Sequence, residues 1–399
     1  MGTRPLVGTL AAAALVLAGC SGTATDPGAQ PGAGQADNRS DEQEVGPDAD
    51  VGLDEGEAGV APPMPVTPGV ENLTGEVRDG VRVFELTASQ FEQKIANFPV
   101  ETAKVWGYNG STPGPTIIAN EGEEIRVEIT NELPPTDPRG PSMPPGPSPT
   151  ATTIHFHGTH MPNEDDGVAG ISQPNPIPPG ESFAYQFTPE HAGSFAYHSH
   201  TDGAVQELRG LDGMLLVLPS AVDPQERVDR DFVMTLQQFA PIQDGKLTDG
   251  VLVQPFPPGG EFPIDTINGV TGDASREPLT IREGKTIRIR VYNASNSVHS
   301  MHLHGHDFTV TSINGHPIAP PDRNEVTTRE VGPGNFFEME FTADNPGNWI
   351  FHCHFPHHTA NGPFSGYNGA PVGMTRVFHY EGYEPVPQEY FEYEGPSGR

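Results

Sequence analysis

Four pairs of histidines in this chain stand two residues apart: His155/His157, His198/His200, His302/His304 and His352/His354. Successive side chains of an extended strand point to opposite faces, so residues i and i+2 share one face. Each pair can therefore reach a single centre if its segment is β. The rest of the chain from about residue 76 has the same texture. Glu124–Ile129 and Thr286–Val291 both alternate polar with apolar residues at the strand period. Glycine, proline, asparagine and aspartate punctuate such runs, and no long stretch carries a helical period. An all-β sandwich architecture follows.

An internal repeat divides it in two. Pro113-Gly114-Pro115-Thr116 leads into Glu121–Val127, and Pro278-Leu279-Thr280 leads into Arg282–Ile289. Each half then offers His-x-His-Gly and an aromatic strand that ends in the second histidine pair: Ser194-Phe195-Ala196-Tyr197-His198 and Asn348-Trp349-Ile350-Phe351-His352. The expected domains are 76–220 and 228–385, followed by a C-terminal tail, 386–399. Pro134–Pro149 cannot be a central strand and reads as a long surface loop.

The N-terminus has a short basic start and an apolar run ending Leu17-Ala18-Gly19-Cys20. Residues 1–20 read as an export signal, not a membrane span. The ending resembles a bacterial lipobox, with Cys20 as the lipidated residue. The expected location is the bacterial cell envelope, lipid-anchored to the outer face of the cytoplasmic membrane, or extracellular. Residues 21–75, acidic and rich in glycine and proline, read as a tether. Overall, 53 acidic residues face 21 basic ones, a formal charge of -32, which argues against nucleic acid as a partner.

The chain has two cysteines. With Cys20 consumed by the anchor, Cys353 has no disulfide partner, and metal ligation gives a lone exported thiol a reason to exist. On a strand, Cys353 faces away from His352 and His354, as does His299 from His302. One strand thus serves two sites: Cys353 with His299 and His358 on one side, a histidine cluster on the other. Thiolate with imidazoles is a soft set that suits a blue copper site.

On these motifs, in this order over about 76–382, the chain resembles the multicopper oxidases of the cupredoxin fold, in particular the small two-domain laccases. The resemblance implies two cupredoxin-like Greek-key β-sandwich domains and four coppers per functional unit. Type 1 copper would take His299, Cys353 and His358; type 2 would take His155 and His302. The type 3 pair would take His157, His198, His200, His304, His352 and His354. The expected reaction is one-electron oxidation of a phenol or aromatic amine, with O2 reduced to water at the histidine cluster. Cys353 is linked covalently to His352 and His354, which gives electrons a short route, and these three residues are expected to be catalytic. With four histidines from each domain, the family pattern implies a homotrimer in which domain 1 of one subunit faces domain 2 of the next.

The pattern is broken in places. Position 363, where the axial methionine usually stands, is proline; Met374, before the terminal strand, is the expected axial ligand, with Thr359–Gly373 as an insertion. Pro356 stands where some relatives keep a carboxylate for proton delivery. Asp166 resembles the family's acidic residue near type 2 copper and is a catalytic candidate, with a plain turn aspartate as the other reading. His357 competes with His358. Met214 is either a relic ligand or a core residue. His160, His191, His306, His316 and His379 read as surface, loop or supporting groups. Other functions stay open: a metallo-oxidase for Cu(I), Mn(II) or Fe(II), for which the acidic surface speaks; a copper nitrite reductase, against Ser199 and Cys353; and an electron carrier, which leaves the cluster histidines unexplained.

Overall fold

Two pairs of β-sheets follow one another along the chain, and a computed structural model describes them over residues 59–136, 150–272, 275, 278–361 and 371–387. Cys20, the export signal, residues 21–58, most of the proline-rich loop (137–149), residues 362–370 and 388–399 lie outside the described residues. No helix among the described residues is long and apolar enough to cross a membrane.

The first sandwich packs two sheets over a core that includes Phe84, Trp106, Tyr108, Phe156, Tyr185 and Tyr197. One sheet runs in the order Asn72–Leu73, Thr116–Asn120, Asp212–Leu218, Gly193–His198, His155–His157. The other is built on Val81–Lys94, which pairs parallel with Ile125–Glu132. Thr116–Asn120 also pairs parallel with Asp212–Leu218. Parallel neighbours need crossovers, so the chain passes repeatedly between the two sheets and closes one core. The second sandwich repeats the scheme. Arg230–Phe239 pairs parallel with Thr286–Asn293, and Leu279–Ile281 with Thr375–Tyr380. Its core gathers Met301, Leu303, Phe351, Cys353, Met374 and Phe378.

The tether expected over 21–75 does not extend that far. Val60 bridges Val222, Val66 bridges Phe232, and Asn72–Leu73 adds a parallel strand to Thr116–Ile117. Asn72 also donates its side-chain amide to the Pro65 carbonyl at 2.6 Å. Pairing at a sheet edge needs backbone groups and a few anchors rather than alternation, so a proline-rich composition conceals it.

A buried ion cluster ties the two sandwiches together. Arg290 donates to both oxygens of Asp231 and, at 2.7 Å, to Glu338. It also donates at 2.9 Å to Ser194, on the strand that ends at His198, and the Ser194 hydroxyl donates at 2.7 Å to Glu338. Arg290 is 4% exposed. Breaking a buried pair by removing one partner typically costs about 3–5 kcal/mol, because the other charge is left uncompensated. Arg290→Ala is therefore expected to lower unfolding stability by about that amount, read from denaturant midpoints; a loss under about 1 kcal/mol would mean that the carboxylates find other partners.

Candidate metal centres

The histidine pairs sit where antiparallel register brings two strands together. In the first sandwich, His155 stands opposite His198; in the second, His302 stands opposite His352. Each quartet gathers its rings. His155 lies 5.8, 5.3 and 5.4 Å, ring centre to ring centre, from His157, His198 and His200. His302 lies 4.8, 5.6 and 5.3 Å from His304, His352 and His354. Within each quartet three ligand atoms come within 4.8 Å of one another: those of His155, His157 and His198, and those of His302, His304 and His352.

Outer hydrogen bonds fix which nitrogen is free. His155 Nδ1 meets the Asp166 carbonyl at 2.9 Å, His302 Nδ1 the Thr327 carbonyl at 2.7 Å, and His352 Nδ1 the Cys353 carbonyl at 2.8 Å. Each Nε2 is then the bare acceptor, the arrangement that orients metal-binding histidines. Burial, ahead of the neighbouring histidines, pushes His157 down to about 4; burial also takes His352 to about 4, with the Cys353 carbonyl working the other way. Both are neutral ligands at ordinary pH.

The third centre lies on the core side of the same strand. His299, Cys353 and His358 are all buried, with ligand atoms within 4.8 Å of one another and Cys353 Sγ 3.5 Å from His358 Nδ1. Met374 is fully buried in the same core; its amide donates to the His358 carbonyl at 2.9 Å, and its carbonyl accepts from the Cys353 amide at 3.1 Å. Ser295, unsuspected from sequence, sets the His299 tautomer. Its hydroxyl donates to Asn293 Oδ1 at 2.7 Å and lies 2.7 Å from His299 Nε2, which can only donate to it in return.

This donor set fits copper. His299 Nδ1 is fully buried with no hydrogen-bond partner, so its lone pair is uncompensated without a cation. Burial pushes the Cys353 thiol up to about 11, offset only in part by backbone amides, and takes His299 down to about 3 and His358 to about 4. A buried soft thiol between two neutral imidazoles is a site for a thiophilic metal.

Of the remaining expectations, Asp166 lies beside a quartet, with Oδ1 3.2 Å from His155 Nδ1. Met214 is packed in the first core. His306 bonds Tyr380, His379 faces Asn348, His160 faces Glu190, and His191 stacks on His316. His357 is exposed, its ring 4.2 Å from that of His358, and is not in the buried triad. Sequence reasoning missed Glu207 as well as Ser295. Glu207 lies 3.3 Å from His198 Nδ1, and no motif marks it.

Comparison with known proteins agrees with this geometry. Two multicopper oxidase family models match, one over residues 90–138 and 147–222 and the other over 243–368. The chain belongs to the multicopper oxidase family. Copper is therefore its cofactor, and the folds of the two sandwiches are cupredoxin-like. The chain is 31% identical to Laccase-4 of Thanatephorus cucumeris over 69% of its length and 51% of that protein's. It is 29% identical to an iron transport multicopper oxidase of Epichloe festucae over 53% of its length and 31% of that protein's. The chain thus spans about a third to a half of these curated relatives. Among solved structures it matches the blue copper oxidase of Nitrosomonas europaea (TM-score 0.63, 26% identity, 78% of this chain and 93% of that one). It matches multicopper oxidase mgLAC equally well (TM-score 0.63, 30% identity, 78% and 89%).

A buried carboxyl near the triad makes its own contribution to the pH dependence of folding. Burial pushes Asp265 up to about 7 although Gln238 donates to it at 2.7 Å. Between about pH 4 and 7 the folded multicopper oxidase binds a proton here that the unfolded chain has lost. The Asp265 contribution to stability therefore falls with rising pH across that window, by about 1.4 kcal/mol per unit, and is flat above it. Asp265→Asn removes this loss, so the variant's unfolding free energy relative to wild type is expected to be higher at pH 8 than at pH 5. An equal difference at both values would show that Asp265 does not titrate there.

Proposed function

We propose that this chain is a laccase-like oxidase, taking single electrons from phenolic or aromatic donors and using them to reduce O2 to water. The observation that carries the donor class is a cavity of about 710 Å³ at His358. Ile242, Leu247, Pro258, Phe262 and Pro263 give it apolar walls, and Glu261 is the one carboxylate among its lining residues. Such a cleft suits a flat organic ring with one polar group. A hard or borderline metal ion would want several oxygen donors, and among the described residues no methionine lines the cavity for Cu(I).

His299, Cys353 and His358, with Met374 buried in the same core, would hold the type 1 copper. His155 and His302 would hold type 2 copper, and His157, His198, His200, His304, His352 and His354 the type 3 pair. Copper supplies one-electron redox steps at the first site and multi-electron oxygen chemistry at the second. The chain's own part is to bury the thiol, present neutral imidazoles, and connect the two faces through the Cys353 backbone. Asp166, through His155, is assigned to holding the type 2 ligand.

Histidine–histidine ring contacts of each quartet stay within it, among the described residues. Each quartet offers half of an eight-histidine cluster, which supports completion by a second copy and hence a homotrimer. Domains over 76–220 and 228–385, export by residues 1–20, the lipid anchor at Cys20 and an envelope location belong to the same reading. A metallo-oxidase, as the iron transport relative's name suggests for that protein, is the second reading.

Oxygen uptake by the copper-loaded protein tests this directly, with ferrocyanide, a simple phenol, and Fe(II), Mn(II) or Cu(I) as alternative donors. The expected result is uptake at four one-electron donors per O2, without peroxide, and with the phenol preferred over the metal ions by at least tenfold in kcat/KM. Preference for a metal ion would move the assignment to a metallo-oxidase. Intact blue colour without any uptake would leave an electron carrier.

A further inference from the structure

The two histidine quartets are not equivalent in what stands behind them. His198 and His352 occupy matching places, each opposite the first histidine of the facing pair. His352 Nδ1 meets only the carbonyl of the next residue, at 2.8 Å. His198 Nδ1 meets its own next carbonyl, Ser199, at 3.0 Å, and in addition a carboxylate, Glu207 Oε1, at 3.3 Å. The His198 side chain is 8% exposed, whereas the Glu207 side chain keeps 33% of its surface. Glu207 lies at the junction of a short helix, Gly203–Gln206, with the single helical turn that follows it, and Gly210 ends that turn at φ 108°. It also closes one side of a cavity of about 180 Å³ whose other walls include Tyr292, Asn293 and Ser295.

From this placement we infer that Glu207 is a positioning residue for the oxygen-reducing cluster: it accepts the His198 Nδ1 proton bond and holds the Nε2 lone pair on the metal. The inference rests on the assignment of His198 to the type 3 copper. Metal-bound histidines generally donate their second N–H to an outer partner, and a carboxylate there raises ligand basicity; losing it typically costs about 10–100-fold in metal affinity or activity. With Nδ1 so engaged, the free Nε2 faces His157 Nδ1 at 3.4 Å, which is the inward edge of the quartet. A surface glutamate would have no reason to sit over a buried imidazole.

The chain provides a way to test this without touching Glu207. Gly203 lies one helical turn before it, and a Cβ added there would stand 2.6 Å from Glu207 Oε1, with only the Glu207 carboxyl carbon otherwise within 4 Å. Alanine also favours helix over glycine. Gly203→Ala should therefore displace the carboxylate while leaving the helix at least as stable.

The experiment uses the copper-loaded full chain, titrated with a copper chelator, with total bound copper and blue absorbance followed together. The blue colour reports the His299/Cys353/His358 site, so it is an internal control for folding. Expected for Gly203→Ala and Glu207→Ala is release of the non-blue copper at ten- to hundred-fold lower chelator concentration, with blue absorbance retained. Glu207→Gln, which keeps an oxygen acceptor, should lie between these and wild type. Wild-type release curves in Gly203→Ala and Glu207→Ala would overturn the proposal. So would parallel loss of blue and non-blue copper, which would mark Glu207 as a fold residue. If Glu207→Ala does not fold, Gly203→Ala and Glu207→Gln decide. Should the wild type bind copper only at its blue site, the assignment of His198 fails rather than the role of Glu207.

Discussion

The pairing of Asn348–Cys353 against His299–Leu303 governs the chemistry of the second half of the molecule. Met301 faces Cys353, and His302 faces His352. Alternation then sends Met301, Leu303, Phe351 and Cys353 into the core, and His302, His352 and His354 outward. A one-residue slip would exchange the faces, burying imidazoles in an apolar core and exposing the thiol. The buried run Leu303, Phe351 and Phe378 makes that slip costly, since large apolar side chains would go to water. Packing of the core and placement of two metal centres are thus one constraint, enforced on the same six residues, Asn348–Cys353.

The first half uses the same register device with a different result. Ser199 stands where the second half has Cys353, and it is buried in a hydroxyl network with Thr152 and Gln206. A hydrogen-bonded serine fills the core face without offering a soft donor, so only the outward quartet remains. Arg290, Asp231, Glu338 and Ser194 then fasten that half to the other through charge-assisted bonds. A buried cluster of this kind contributes little net stability against an apolar replacement, but it accepts few alternative geometries. It fixes the strand that delivers His198 relative to the sheet behind the core that holds Cys353.

Much of this was legible in the sequence, for a physical reason. Spacing on a strand is geometry, so His-x-His and His-Cys-His announce both the fold and the opposed faces before any coordinates. The two-sheet repeat was legible too, because alternation and turn residues recur at matching places in each half. What escaped was whatever depends on side chains meeting across sequence. Ser295 reaches His299 four residues away through Asn293, in a loop with no motif. Glu207 reaches His198 across nine residues of helix and turn. The edge strand at Asn72–Leu73 escaped because backbone pairing leaves no side-chain period in two residues.

A further step follows from where the supporting groups fall. Among the described residues, the carboxylates that touch quartet histidines, Asp166 and Glu207, belong to the first half, while the second-half quartet rests on carbonyls and on the Thr328 hydroxyl. An outer partner of either kind fixes the histidine tautomer and raises its basicity, and a carboxylate adds a negative charge that a carbonyl lacks. A cluster completed by one quartet of each kind would therefore be electrostatically lopsided, with negative charge concentrated on the side of the first half. The second half already contributes the Cys353 thiol from the other face of its own strand. Asp166 and Glu207 belong to the other half and not to the strand of Cys353, where burial already pushes the thiol up. The two halves thus differ in what stands behind their quartets: carboxylates reach His155 and His198, whereas carbonyls meet His302 and His352.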